Sequence, residues 1–205
     1  LNKIVNLPNV TPNGAFYPKV ENIEEYNKVI RRLIIILKEL DIFNNIHLAA
    51  TPTVRIVKGK VNKKLKSRPF ATGKLHSDAW VGLKNDAIIS IPILGDIKNT
   101  NVRFYSPKIV SKDFLKKIES FEMGKKLFKG KKYIGTLIKN KLSIFDHLCL
   151  HQTYRKNGGI RVSLDFAVAF KHKNSRLKKT NKNERFTYIS KESFAKIGIK
   201  KKITT

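Results

Sequence analysis

One cysteine, one methionine and one tryptophan stand in this chain of 205 residues, and only 15 carboxylate side chains oppose 43 lysines and arginines. Cys149 has no second thiol to pair with, which excludes an intramolecular disulfide and any cysteine-rich zinc site. A lone cysteine also fits a reducing compartment, so a cytoplasmic location is expected. Long hydrophobic runs are missing as well. Leu33-Ile34-Ile35-Ile36-Leu37 and the stretch from Ala87 to Leu94 fall far short of the ~20 residues that cross a bilayer, so no membrane span is expected. No basic segment followed by an apolar stretch opens the sequence, so no signal peptide is expected. Neither a Gly-x-Ser-x-Gly elbow nor a pair of carboxylates at a plausible catalytic spacing is present, which argues against a hydrolase.

The shortage of acid leaves a net charge of +28. Such a surplus speaks to partners rather than to fold: it draws in polyanions such as nucleic acid, and it steers small anionic molecules. Lys, Asn and Ile are abundant together, as AT-rich codons produce, and the lysines are scattered over many segments. The favoured partner is therefore a small-molecule substrate, anionic if the charge is used, with nucleic acid as the competing partner.

The length suits one domain with a sizeable core. Residues 1–20, with Pro8, Pro12, Gly14 and Pro18, read as an extended lead-in. From Ile23 to Leu40, apolar residues at Tyr26, Val29, Ile30, Leu33, Ile36, Leu37 and Leu40 predict a helix, with Glu24 and Glu25 in its first turn. Short β-type pieces follow. Thr53 to Val57 is one, then a basic loop from Lys60 to Lys66, then a strand carrying His76 and Asp78. Ala87 to Leu94 and Asn101 to Tyr105 come next, the latter ended by Pro107. Ser111 is a plausible N-cap for a short helix through Phe121. Tyr133 to Ile138, Leu142 to Phe145, Leu148 to Thr153 and Ile160 to Phe170 complete the strands. Residues 171–205 are lysine-rich, with Ser190 and Gly198 bracketing a small helix. Many strands after one helix predict a mainly β domain with flanking helices, a sandwich or jelly roll. A lead-in and helix would occupy 1–50, a β core 51–170 and a basic C-terminal segment 171–205.

The chemistry concentrates at a few positions. On a strand, His76 and Asp78 share a face, and a second imidazole from a distant strand closes a set of two His and one carboxylate. That set leaves positions open on the ion and suits non-haem Fe(II). His151, in a mostly apolar strand, is the preferred third ligand; His147 competes for the place. The turn at Asn157-Gly158-Gly159 predicts a hairpin that sets His151 opposite Arg161. Arg161 and Ser163 then offer a fork and a hydroxyl to a carboxylate. Each has a structural alternative: ordinary polar alternation for His76 and Asp78, a core histidine for His151, and an Arg161–Asp165 ion pair. Trp80 is either a platform for a substrate ring or a core residue. Asn101, Arg103 and Tyr105 share a strand face and are candidates for co-substrate or substrate contact, and Arg68 for anion binding.

His76-x-Asp78, His151 and Arg161-x-Ser163 resemble the HxD…H and RxS motifs of Fe(II)/2-oxoglutarate-dependent dioxygenases, over roughly Arg68 to Phe170. The stretch from Arg68-Pro69-Phe70-Ala71-Thr72 through His76-Ser77-Asp78-Ala79-Trp80 looks like a bacterial subgroup related to phytanoyl-CoA hydroxylases. The resemblance implies a double-stranded β-helix of the cupin-like, jelly-roll kind. It implies Fe(II) on His76, Asp78 and His151, and 2-oxoglutarate on Arg161 and Ser163, with Asn101 beside them. O2 would be the oxidant and a C–H bond of a sugar or biosynthetic intermediate the target. Competing readings are a nucleic-acid-directed dioxygenase, disfavoured by Ala167 where such enzymes carry a second arginine, and a non-catalytic jelly-roll sugar-binding protein.

Overall fold

The computed structural model describes residues 10–16, 20–49, 52–59, 63–82, 87–146, 148–156, 158–171 and 188–189. Among them the chain builds one long helix, α1 (Ile23–Glu39), a short helix α2 (Lys63–Ser67), and ten strands. The strands are β1 (Ala15–Phe16), β2 (Ile46–Ala49), β3 (Thr53–Lys58), β4 (Ala87–Gly95) and β5 (Thr100–Val110). After these come β6 (Phe128–Thr136), β7 (Ser143–Asp146), β8 (Leu150–Arg155), β9 (Ile160–Phe170) and β10 (Tyr188–Ile189). No helix among the described residues is long and apolar enough to cross a membrane.

The strands form two antiparallel sheets. The larger is centred on β9, which pairs with β3 and β2 along one side and with β4 along the other; β1, β10 and β7 extend it. The smaller has the order β6-β5-β8. In β9 both faces are closed to solvent, and residues of alternate parity serve different layers. Leu164, Phe166 and Val168 join Ala87, Ile89 and Ile91 under Tyr26, Ile30, Leu33 and Leu37 of α1. Arg161, Ser163 and Asp165 therefore point away from the helix, between the sheets.

α1 forms where its periodicity predicts, but its buried stripe is rotated. Ile34 is buried, whereas Ile36 and Leu40 are 39% and 50% exposed. The basic stretch after β3 is partly helical (α2) where a loop was expected. β5 runs through Pro107. Past Tyr105 it is paired only with β6, so a residue lacking an N–H is tolerated on its open side.

Residues 111–121 are turns, not the expected helix. Their backbone is committed elsewhere: Ile118 N donates to the Trp80 carbonyl and Phe121 N to that of Pro69. Phe114 and Phe121 thereby reach a second apolar cluster around Trp80 and Leu150. His147, Asn157, residues 1–9 and the small helix between Ser190 and Gly198 lie outside the described residues.

The expected hairpin between β8 and β9 is replaced by a crossover. β8 pairs with β5 in the small sheet, while β9 begins against Lys58 and Gly95 in the large one. The backbone crosses at a point too crowded for side chains. A Cβ on Gly59 would meet the Lys156 carbonyl and Gly159, and one on Gly159 would meet Thr100 Oγ1. Of the glycines that suggested a hairpin, Gly159 thus serves close backbone approach, while Gly158 takes the left-handed turn conformation at φ +85°.

The helix register makes a direct prediction. Leu37, at 0% exposure, should cost about 2–5 kcal/mol when changed to alanine. Ile36→Ala should cost roughly 0.5 kcal/mol or less. Denaturant midpoints of the two variants check this; equal losses would overturn the packing described for α1.

Candidate metal centre

The site begins with a backbone contact. His76 and His151 form an isolated antiparallel bridge, with His76 N donating to the His151 carbonyl (2.9 Å) and His151 N to that of His76 (2.7 Å). A doubly bonded pair of this kind places both side chains on the same face of the sheet. The imidazole centroids are 4.2 Å apart.

His76 thus belongs to a single bridge and not to a full strand, and Asp78 opens a 3-10 turn, Asp78–Val81. The expected shared face survives because Ser77 between them is extended (φ −111°, ψ 144°). The Ser77 hydroxyl accepts from Ala79 N at 3.2 Å and caps that turn. Asp78 Oδ1 lies 3.7 Å from His151 Nε2. One donor atom from each of His76, Asp78 and His151 falls within 4.8 Å of the others. Some point then lies within about 2.8 Å of all three, close to the roughly 2 Å of a coordinated N or O ligand.

Both rings are set for coordination. His76 Nδ1 is 2.8 Å from the Lys74 carbonyl and His151 Nδ1 is 3.3 Å from that of Cys149. A carbonyl only accepts, so each Nδ1 carries a proton, and in the neutral ring the lone pair falls on Nε2. Burial, and then the neighbouring His151, press the pKa of His76 down to about 3 against the opposing pull of Asp78. A neutral ring is the ligating form. Phe121 stacks on His76 at 4.1 Å, and Phe145 lies 5.2 Å from His151.

The three residues open onto a cavity of about 570 Å³ between the sheets, within the range of small-molecule sites. Arg161 lines it, is 1% exposed, and its Nε and Nη1 have no hydrogen-bond partner; Ser163 Oγ is likewise buried and unpartnered. Burial lowers the Arg161 pKa to about 10, with Asp165 opposing and Arg55 and Arg155 adding to the fall. The group stays charged at neutral pH. A buried cation without a partner is costly, so its surroundings call for an anion.

Asp165 is not that anion. It is paired with Arg55 Nε and accepts from Ser90 Oγ at 2.6 Å. This replaces the Arg161–Asp165 pair weighed from sequence. Burial pushes the Asp165 pKa up, but Arg55, Arg161 and the Ser90 hydrogen bond more than offset it and hold it below the ordinary carboxylate value. Arg55 is the residue that sequence reasoning missed. Its signal was a cationic side chain in the middle of an alternating strand.

Four other candidates lie elsewhere than expected. Trp80 is fully buried, its Nε1 donating to the Phe114 carbonyl at 2.9 Å, and its ring packs over Gly124 with no room for a Cβ there. It is a core residue and offers no face to a substrate. Asn101, Arg103 and Tyr105 do share a face of β5, but Val102 and Phe104 from the alternate positions line the cavity. Asn101 Nδ2 donates to Leu137 O, Arg103 sits over the Tyr154 ring, and Tyr105 packs edge-on against Tyr133. Arg68 does line the cavity.

No protein-family model matches this sequence, and no curated protein matches it. Solved structures similar to it include the non-heme alpha-ketoglutarate-dependent epimerase SnoN from nogalamycin biosynthesis, at 8% identity and TM-score 0.42. That match covers 78% of this chain and 73% of that one. The non-heme monooxygenase ThoJ, in apo form and as a nickel complex, matches at 10% and 12% identity with TM-scores of 0.31 and 0.32. Each covers 78% of this chain and 77% of that one.

The Arg55–Asp165 pair carries a stability prediction with a sign. A carboxylate whose folded pKa is depressed stabilises the fold above its unfolded value, near 3.9, and that contribution is lost as pH falls through the folded value. Arg55→Met should cost, at pH 7, toward the low end of roughly 3–5 kcal/mol. The gap from wild type should narrow below about pH 4, where Asp165 takes up a proton. Denaturant melts across that range measure it; a gap independent of pH would assign the loss to packing alone.

Proposed function

We propose that this protein is a non-haem Fe(II)- and 2-oxoglutarate-dependent oxygenase of jelly-roll type, oxidising a C–H bond of a small molecule. The carrying observation is the pairing of two features in one cavity. Two tautomerically fixed imidazoles and a carboxylate converge on one point, and a buried, unpartnered guanidinium lines the same cavity, with the unpartnered Ser163 hydroxyl two residues along on the same face of β9. His76, Asp78 and His151 would hold the iron. Two His and one carboxylate leave coordination positions for co-substrate and O2.

Arg161 and Ser163 fit the distal carboxylate of 2-oxoglutarate, which would supply the acceptor oxygens that both lack. When bound, iron and 2-oxoglutarate supply the oxidising chemistry, with succinate and CO2 as co-products. The chain's own part is positioning and exclusion. The His76–His151 backbone bridge fixes where two ligands start. Lys74 and Cys149 carbonyls keep each Nδ1 protonated and each ring oriented. Phe121, Phe145 and Phe104 wall the imidazoles with apolar surface, which keeps water off a reactive centre. Asp165, neutralised by Arg55 and Ser90, leaves Arg161 free for the co-substrate.

The test is succinate release from 2-oxoglutarate with Fe(II) under air. Wild type should turn over slowly even without primary substrate, and His76→Ala should abolish it. Arg161→Ala should weaken 2-oxoglutarate roughly 10- to 100-fold, the worth of one charge-assisted pair, while Mn(II) affinity by calorimetry stays within about twofold. Equal succinate from wild type and His76→Ala would overturn the reading.

A further inference from the structure

Arg161 is not the only unpaired cation in this region. β8 presents His151 and Thr153 to the cavity, and Arg155 follows at the next position of the same parity, on the same face of the strand but just past the residues that line the cavity. Its Nε is buried without a hydrogen-bond partner. The end of β8 is tied to the segment that begins at Arg68, because Thr153 N donates to the Thr72 carbonyl at 2.7 Å. Arg155 feels both neighbours. Burial lowers its pKa first, and the charges of Arg68 and Arg55 lower it further.

Arg68, which lines the cavity, is anchored by neutral acceptors only. Nε donates to Leu65 O at 3.1 Å and Nη2 to Asn13 Oδ1 at 2.8 Å. Asn13 in turn receives Arg55 Nη1 on its carbonyl and donates from Nδ2 to Phe70 O, so the strap before β1 fixes the mouth of this cationic corner.

Charge balance then defines what is missing. Three arginines (Arg55, Arg68, Arg161) and two carboxylates (Asp78, Asp165) are the ionised side chains lining the cavity among the described residues. Fe(II) and 2-oxoglutarate carry equal and opposite charge, so loading them leaves the surplus of one arginine. Arg155 beside them raises it to two. Like charges held together in a desolvated place are unfavourable unless an anion joins them. Paired guanidiniums match a phosphate in both charge and planar donor geometry.

We propose that Arg68 and Arg155 bind a phosphate group carried by the molecule that is oxidised, so that the substrate is a small phosphorylated compound. This rests on the oxygenase reading for the occupant of Arg161, and it goes further by naming the substrate class. The group docks at the Asn13–Arg68 corner while the rest of the molecule lies toward His76 and Asp78. The strongly basic exterior raises the local concentration of such an anion.

Inorganic phosphate is the probe, titrated calorimetrically at fixed ionic strength into protein saturated with Mn(II) and 2-oxoglutarate. Wild type should bind one phosphate, and acetate at least tenfold more weakly. Arg68→Gln and Arg155→Gln should each weaken phosphate at least tenfold, whereas Lys129→Gln/Lys132→Gln, on the exposed surface of β6, should not. Thermal melts establish that each variant folds; Arg68, only half-buried, provides a test should Arg155→Gln fail to. Three results would overturn the proposal: equal phosphate affinity in the arginine and lysine variants, equal acetate and phosphate affinity, or displacement of phosphate by 2-oxoglutarate. Mn(II) and 2-oxoglutarate binding without phosphate are measured on the same samples. Their loss, with arginine-dependent phosphate binding intact, would sink the oxygenase reading and leave the anion site standing.

Discussion

Two backbone hydrogen bonds between His76 and His151 hold the candidate metal centre together. They join a segment with no other strand character to the edge of the small sheet. In doing so they fix the separation of two imidazoles that are 75 positions apart in the chain. Side-chain packing alone would leave those rings free to choose among rotamers. The backbone pair, the two carbonyls behind the rings and the stacked Phe121 remove that freedom. Asp78 is delivered by the same segment, since the extended Ser77 turns it to the same side before the 3-10 turn begins.

The second constraint is electrostatic. Between the sheets the chain gathers arginines and supplies few carboxylates. Asp165 is consumed by Arg55 and Ser90, and Asp78 belongs to the candidate metal ligands. Arg161 and Arg155 are left with buried nitrogens that bind nothing. A folded chain that leaves guanidinium groups unsatisfied carries a cost in stability. Under the proposed function, anions bound in this space would recover it, and the unliganded state would be the less stable form. The cost falls where binding needs it, which is how a site selects oxyanions over neutral molecules.

The corrections share one cause. Glycines at 158 and 159 match a tight hairpin, yet β8 and β9 belong to different sheets, and it is Gly59 and Gly159 whose missing side chains let the backbones cross. The stretch 111–121 matches a helix with a serine cap, yet its N–H groups go to Trp80 and Pro69 carbonyls because two of its phenylalanines are needed in the core. Trp80 shares parity with Asp78 on paper, but the chain leaves the extended state after Ser77, so parity no longer applies. In β5, alternation was read correctly and assigned to the wrong side. Nothing local says which face of a half-buried strand looks at the cavity. In each case a tertiary contact outweighed a local preference.

Periodicity in the sequence was enough to determine α1 and most of the strands, because amphipathic spacing is a property of the chain itself. Motif spacing singled out His76, Asp78, His151, Arg161 and Ser163, of which the structure brings the first three together and leaves the last two buried with unpartnered polar atoms. What only the tertiary structure decided was who stands beside whom. It gave Asp165 to Arg55 instead of Arg161, sent Trp80 into the core, and tied the end of β8, which carries Arg155, to the segment that begins at Arg68. Such pairings depend on the register between strands far apart in sequence and on how two sheets face each other, and no local stretch of residues encodes either.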